Sequence, residues 1–384
     1  MKLKEKNMVK VGFVISKTGT AGSAGINRQI FEALKDEFQI SQINPETLYY
    51  HRLPIVGIMF NYFTLYERRL DFDYIIATTY AGLPFLEDNH LIEIFHGVDT
   101  AAILTARKAL DSGSSKGSIL SKWLKITEGL FTEKLEDFVA LEAVSKVTEG
   151  VCAQKAEHVF AVSNAVKKDL VELFGIDKSK VKVIPNGIAD YWFEEQAPFS
   201  DFGIIYPTRF DYRVFTFLVK GQDRMLEILS RVGPMPKYIY SKFSKIVPKD
   251  FRNKMKKIIK KNTDAKVIDN LHAEGLKKNY HPGYVMLSTS RYEACQLNLL
   301  EGMASKLIPV TYPVGIAPDV IRQGQNGFIV NNEKEAVEVI EYLKDKPEVR
   351  ERIALNAYKT AKKLFVFDRM ISEYRKTFKR IFSK

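Results

Sequence analysis

The chain has 384 residues, long for one domain and enough for two that each bury a core without disulfides or metal. Apolar residues make up 46% and charged residues 27%, which excludes a disordered or collagen-like chain, and no apolar run reaches the ~18 residues of a membrane span. A formal charge of +12 favours an anionic partner, whether nucleotide, nucleic acid or acidic membrane surface, without choosing among them.

The N-terminus is basic and then apolar, but its apolar part is short, carries Lys10 and lacks a cleavage signature, so a first core strand is expected there, not a signal peptide. Cys152 and Cys295 are too few for a disulfide framework, and a cytoplasmic setting is expected.

A buried strand is expected over residues 9–16, followed by a loop with Gly19, Gly22 and Gly25 and a helix over 28–37 whose Ile30, Phe31 and Leu34 share a face. Further strands are expected at 74–78, 91–95, 158–162 and 181–184. Ser163 reads as an N-cap for a helix over 165–174, which Gly175 stops. After Pro185, Asn186 and Gly187 a polar stretch runs to about residue 200, and the pattern then restarts. Strands are expected at 203–206, 238–240, 266–268, 285–287, 308–311 and 328–330, and the tail reads as two helices, 348–364 and 368–382. Short apolar strands separated by helices mean parallel sheets covered on both faces. The expected architecture is α/β: two Rossmann-like, doubly wound domains facing a central cleft. Their expected bounds are 1–187 and 188–366, with 367–384 a helix packing back on the first. Ligands of such sheets bind beyond the carboxyl ends of the strands.

The most informative stretch is 290–330, SRYEACQLNLLEGMASKLIPVTYPVGIAPDVIRQGQNGFIV. It places Glu293 just before a helix and Glu301 within it. Small residues Gly302, Ala304 and Ser305 follow, then a strand, the turn Val314-Gly315-Ile316, and Asn326-Gly327. Two Glu eight apart carry no information alone, since Glu128/Glu136, Glu149/Glu157 and Glu333/Glu341 show the same spacing; context supplies it. The stretch resembles the donor-binding region of family 4 retaining glycosyltransferases, which have the GT-B fold. The resemblance implies that residues 188–366 bind a nucleotide-sugar and that 1–187 form the acceptor side. It implies Glu293 near the transferred sugar, Glu301 on the ribose, and the amides of Gln296, Leu297 and Asn298 at the helix start serving the donor. Where the family often has glycine, this chain has Gln296, so a side chain is expected to enter the site.

A second stretch, IIYPTRFDYRVFTFLVKGQDRMLEIL, resembles the family's strand, Arg, loop and Lys-Gly helix start, with a longer loop than usual. It implies Arg209 and Lys220 on the diphosphate, with Arg213 able to replace Arg209. In the first half, Phe95-His96-Gly97 resembles the family's His-Gly beside the donor sugar, where a neutral imidazole donates to a hydroxyl or orients the acceptor. Ala24-Gly25-Ile26-Asn27-Arg28 resembles the first glycine-rich loop, with Gly25 letting backbone approach the phosphates. Residues 183–188, Val-Ile-Pro-Asn-Gly-Ile, match at the interdomain junction and are expected to set a hinge.

Other features fit less well. Asp71-Phe72-Asp73 looks like a metal-holding Asp-x-Asp but precedes a strand, the wrong end for a ligand. The six His show no paired metal spacing and no P-loop is present. The basic run 242–261, Lys245 within it, reads as an amphipathic surface helix with Phe251, Met255, Ile258 and Ile259 inward. Trp123, Leu124 and Phe131, among Lys116, Lys122 and Lys125, fit either a core stripe or an acceptor or lipid surface.

The expectation is a metal-independent, cofactor-free, retaining hexosyltransferase-type enzyme that moves a sugar from a UDP- or GDP-sugar to a hydroxyl of a glycan or lipid-linked acceptor. An anionic membrane surface is a candidate partner, with a place on the inner membrane face; nucleic acid is not. The alternatives are a catalytically impaired basic binding protein of this fold and a nucleotide-sugar epimerase.

Overall fold

The structure, a computed structural model, describes residues 9–15, 22–45, 61–87, 90–113, 117–131, 135–194, 197–199, 201–243, 247–269, 271 and 273–383. Gly19, Lys116 and Lys245, singled out above, and position 16, the last of the first expected strand, lie outside the described residues. In chain order the first elements are β1 (Val11–Val14), α1 (Gly22–Phe38), β2 (Ile40–Ile43), β3 (Tyr74–Ala77), β4 (His90–Phe95), α2 (Asp99–Gly113), α3 (Ile119–Ile126), α4 (Leu135–Lys155), β5 (His158–Ala161), α5 (Asn164–Phe174) and β6 (Val181–Val183). There follow β7 (Ile204–Phe210), α6 (Val214–Val219), α7 (Gln222–Arg231), β8 (Lys237–Phe243), α8 (Lys249–Thr263), β9 (Lys266–Asp269), α9 (Ala273–Lys278), β10 (Val285–Ser288) and α10 (Leu297–Ala304). Last come β11 (Ile308–Thr311), α11 (Ala317–Val320), β12 (Phe328–Ile329), α12 (Glu333–Lys344), α13 (Pro347–Leu364) and α14 (Phe367–Phe382).

The chain forms two compact units. The first gathers Met1–Thr100, Val139–Asn186 and Phe367–Lys384. Its sheet has the order β2-β1-β3-β4-β5-β6, every pairing parallel. The central strands are buried on both faces, so they read as apolar runs, interrupted in β4 by the buried Glu93. β2 was not expected. It follows Gln39 at φ 51°, and only Ile40 and Ile43 of its four residues are buried. α1 starts at Gly22, six residues before the expected helix start. α5 is capped as expected: the Ser163 hydroxyl accepts from Val166 N at 3.2 Å, and Gly175 closes the helix at φ 66°. α14 packs on α1, with Arg375 Nε donating to Glu37 at 2.6 Å and Phe378 edge-on to Phe38.

The second unit joins Ala101–Phe138 to Gly187–Val366. A first domain running unbroken to residue 187 is therefore not what the contacts give. Its sheet has the order β12-β11-β10-β7-β8-β9, again parallel throughout. The early segment is held by Trp123, whose indole N–H donates to the Glu227 carboxylate at 3.0 Å, and by Phe131, which meets Phe217 and Phe251. Trp123 itself is buried and serves packing, while Leu124 and Phe131 are half-buried. Burial alone would raise Glu227, but hydrogen bonds from Lys122 and Trp123 outweigh it and hold the carboxyl below its ordinary value. The stretch after Gly187 is not wholly polar: Trp192 sits in a short 3₁₀ turn, fully buried, 5.6 Å from the Tyr280 ring. α8 buries Phe251, Met255 and Ile259 and exposes its lysines.

Candidate active site

In the second unit the site is built where β7 and β10 end. β7 delivers Arg209; after α6 comes Lys220, and Gly221 turns the chain into α7 at φ 58°. A Cβ on Gly221 would fall 1.9 Å from the Thr289 carbonyl oxygen, so the turn requires glycine. The Tyr206 hydroxyl donates to the Lys220 carbonyl at 3.0 Å, and Arg291 N donates to the Val219 carbonyl at 2.8 Å. These bonds lock the loop after β10 against the turn before α7. As a result Lys220 and Glu293 meet: Lys220 Nζ donates to Glu293 Oε1 at 2.7 Å, and the Ser290 hydroxyl donates to the same oxygen at 2.7 Å. Gly315, at φ 57°, backs this loop so closely that a Cβ would lie 2.9 Å from the Glu293 carbonyl oxygen.

Arg209 lies beside a fixed carboxylate. Asp211 is buried and offers Oδ2 to Arg209 Nη2 at 3.2 Å and to Arg213 Nε and Nη2 at 3.0 and 2.6 Å, while its Oδ1 is buried without a partner among the described residues. The Arg209 backbone is pinned by Gln222 Nε2, which donates to its carbonyl at 3.0 Å.

At the start of α10 the first amides, Leu297 and Asn298, have no intrahelical acceptor, as at any helix start. The Gln296 side chain does not enter this space, contrary to expectation. It is 1% exposed and turns under the helix, with Nε2 3.3 Å from Ser288 Oγ and 3.5 Å from Thr311 Oγ1. Among the described residues the amide nitrogen finds partners only between the ends of β10 and β11, so the backbone at the helix start stays clear. Glu301, five residues on, has no hydrogen-bond partner among the described residues. Burial pushes its carboxyl up to about 7. Its charge is felt by Tyr191, raised to about 12 by burial and by Glu301, and by buried Tyr280.

In the first unit, His96 follows β4, and its Nε2 lies 2.7 Å from Asn27 Oδ1 on α1. With Nε2–H donating, Nδ1 is left as a buried acceptor without a partner among the described residues. Burial lowers His96 to about 4, so the ring is neutral. Gly25 stands in the opening turn of α1, not in a free loop. Nearby, buried Glu149 accepts from the amides of Asp99 and Thr100 at 2.7 and 2.9 Å and so caps α2. Burial, reinforced by Asp99, pushes it up to about 7.

Thus Arg209, Lys220, Glu293, Gln296, Leu297, Asn298 and Glu301 lie in one unit, and His96 and Gly25 in the other. Asp211, Ser290 and Asn27 were not picked out from sequence. Asn27 stands inside the quoted glycine motif, while Asp211 and Ser290 carried no distinguishing signal. Asp71 and Asp73 are used locally, Asp71 by Arg68 and Asp73 by the Lys10 amide, at the amino end of β3. Among the described residues no three His, Cys, Asp or Glu side chains cluster as metal ligands.

Two stretches match family models: residues 248–360 match glycosyl transferases group 1, and residues 130–190 match glycosyltransferase family 4. The structure of a glycosyltransferase from Rickettsia africae is similar over 98% of this chain and 99% of its own, at 17% identity and a TM-score of 0.63. Anabaena HepE, solved with UDP and glucose, is similar over 97% and 100% of the two chains, at 14% identity and a TM-score of 0.66. Sucrose-phosphate synthase from Thermosynechococcus elongatus is similar over 98% and 99%, at 12% identity and a TM-score of 0.72. No curated protein sequence matches the chain. The two parallel sheets are those of the GT-B fold. The chain has the GT-B fold, and its two matched stretches are similar to the group 1 and family 4 glycosyltransferases.

Proposed function

We propose that this glycosyltransferase moves a sugar, with retention, from a nucleoside-diphosphate-sugar to a hydroxyl of a glycan or lipid-linked acceptor. The observation that carries the reading is the Lys220–Glu293 contact, which sets a cation and a carboxylate side by side at the start of α10. Glu293 accepts from hydroxyls of the transferred sugar. Lys220 has three N–H donors, one of them used on Glu293, and the others serve the diphosphate with Arg209. The leaving diphosphate gains negative charge as the glycosidic bond breaks, and fixed cations aimed at it lower the barrier. The amides of Leu297 and Asn298 add partial positive charge. Glu301 supplies an acceptor for ribose hydroxyls, whose donation relieves an otherwise unpaired carboxyl. HepE, solved with UDP and UDP-glucose, supports a nucleotide-sugar donor.

Retention without a protein nucleophile has the departing phosphate take the acceptor's proton on the same face of the sugar. The two cations do the work a metal does elsewhere, so no resident metal or cofactor is assigned. Neutral His96 orients a hydroxyl. No helix among the described residues is long and apolar enough to cross a membrane; a contact with an anionic membrane surface rests on the net charge alone.

The test is a thermal-shift panel with UDP, GDP, ADP and CMP. A ligand at ~100 times its Kd adds ~2.7 kcal/mol, a shift of several degrees. One diphosphate should stabilise the protein and lose its effect in Glu301→Ala. Lys220→Ala should then lower turnover ~10²–10³-fold, and proton NMR of the product should give the donor's anomeric configuration. Full turnover in Lys220→Ala and Arg209→Ala together would sink the assignment. A sugar that is altered but never leaves its nucleotide would favour the epimerase.

A further inference from the structure

A cavity of about 370 Å³ lies within the second unit, beyond the carboxyl ends of β10, β11 and β12, where Arg291, Tyr312 and Asn331 follow those strands. The part of α2 that belongs to this unit walls it, bringing Lys108. Two guanidiniums reach the cavity, and they differ. Arg291 is spent: it grips Asp223 with both Nη atoms at 2.6 Å and donates to the Leu218 carbonyl at 3.0 Å. Arg224 is not. Its guanidinium carbon lies over Tyr312, 4.2 Å from the ring centre, and its one ion pair among the described residues, to Glu333, is long at 3.5 Å. It makes no hydrogen bond among the described residues, although its side chain is only 23% exposed. The same Glu333 oxygen also accepts from the Tyr312 hydroxyl, at 3.1 Å. Lys108 has no acidic partner among the described residues.

A guanidinium largely withdrawn from water with its N–H groups unused is expensive unless something accepts from them. Asp223 cancels Arg291 and Glu333 cancels Arg224, so Lys108 leaves the cavity with one net positive charge. Its contents are the right kind for a saccharide: an aromatic flank, planar polar groups and enough volume for a sugar ring with one substituent. Its place is equally specific. Arg291 stands two residues before Glu293, and Val314 of the cavity wall adjoins Gly315, which backs onto the Glu293 loop.

We propose that this cavity receives an anionic group, phosphate or carboxylate, on the saccharide acceptor, with Arg224 forking onto its oxygens and Lys108 closing over it. The assignment rests on the transferase reading for the word acceptor; the anion site itself does not.

Calorimetric titration of the full chain with glucose 6-phosphate, glucuronate and glucose tests it, with and without saturating UDP. One of the two anionic sugars should bind with a Kd of ~1 mM or tighter, and glucose ~10-fold or more weaker. Which of the two binds separates phosphate from carboxylate. UDP should leave that isotherm in place. Arg224→Met, which keeps bulk against Tyr312, should weaken binding ~10-fold or more, as should Lys108→Ala on the exposed face of α2. Lys108→Ala keeps the test open if Arg224→Met fails to fold. Three results overturn the proposal: no anionic sugar bound at ~10 mM, an isotherm that neither variant changes, or displacement by UDP, which would put the anion in the diphosphate site. If wild type binds the anionic sugar through Arg224 but no nucleoside diphosphate at all, the transferase reading fails and the acceptor assignment fails with it, leaving a bare anion site.

Discussion

Asp211 and Arg213 are joined twice through a single oxygen: Nε and Nη2 of the arginine reach Asp211 Oδ2 at 3.0 and 2.6 Å. Arg209 touches the same oxygen once, at 3.2 Å, and its side chain is 52% exposed against 33% for Arg213. Of the two arginines, Arg209 is the one able to leave for a diphosphate, because Arg213 stays behind to neutralise the buried carboxylate. Arg213→Gln should therefore weaken UDP binding by ~10-fold, since Asp211 then keeps Arg209 for itself. Adding Asp211→Asn should restore it. Calorimetry on the single and double variants decides: a double variant as weak as the single one counts against this division of roles.

Glu301 gives a pH signature. Burial raises its folded-state pKa to about 7 from the ordinary 4.5. Between those values the folded protein holds a proton that the unfolded chain releases, so this group's contribution to stability falls as pH rises from about 4.5 to about 7. Glu301→Gln removes the dependence and should raise Tm at pH 8 by at least ~2 °C, while abolishing the UDP-induced shift. A variant less stable than wild type at pH 8 would argue that Glu301 has a structural partner.

His96 behaves in the opposite sense. Its folded-state pKa of about 4 lies below the ordinary 6.5, so the unfolded chain takes up a proton first and stability is lost as pH falls from about 6.5 to about 4. The ring should stay neutral throughout the working range. NMR titration of its ring proton should show a midpoint near 4, and one above 6 contradicts the buried setting beside Asn27.

Gly221→Ala should destabilise the second unit by more than ~2 kcal/mol, because left-handed backbone strain is added to a collision with fixed backbone at Thr289. Gly324→Ala is the control. That glycine also has a positive φ, 68°, but its nearest neighbour would be 4.0 Å away, so only the strain of ~1 kcal/mol remains. Equal losses in the two denaturation curves would remove the steric argument for Lys-Gly at this turn.

The strands and their direction were legible because parallel strands buried on both faces leave apolar runs between helices, as β1 and β10 do. β2 was not, since ISQI offers only two buried residues. Glu293, Lys220 and Glu301 were singled out through their neighbours in sequence, and the structure sets Lys220 against Glu293. The fate of Gln296 was not: whether an amide points into a site or under a helix depends on Ser288 and Thr311, which only the folded sheet places beneath it. Asp211 was equally hidden, because a carboxylate in a loop reads as solvated until its burial is seen. The apolar stripe around Trp123 was visible, but its partner, Glu227, lies 104 residues away.

That last contact bears on how the chain folds. The second unit is interrupted by residues 139–186, which belong to the first, so it closes only when an early segment returns to a surface made much later. Such long-range closure slows folding, since loop entropy is lost before contacts reward it. It also bars a common shortcut. A fragment of residues 187–366 would leave Glu227 without its indole and lysine donors and bare Phe217 and Phe251 where Phe131 now sits. The second unit is not a cassette that can be cut out at one boundary; an excised version must carry residues 101–138 with it.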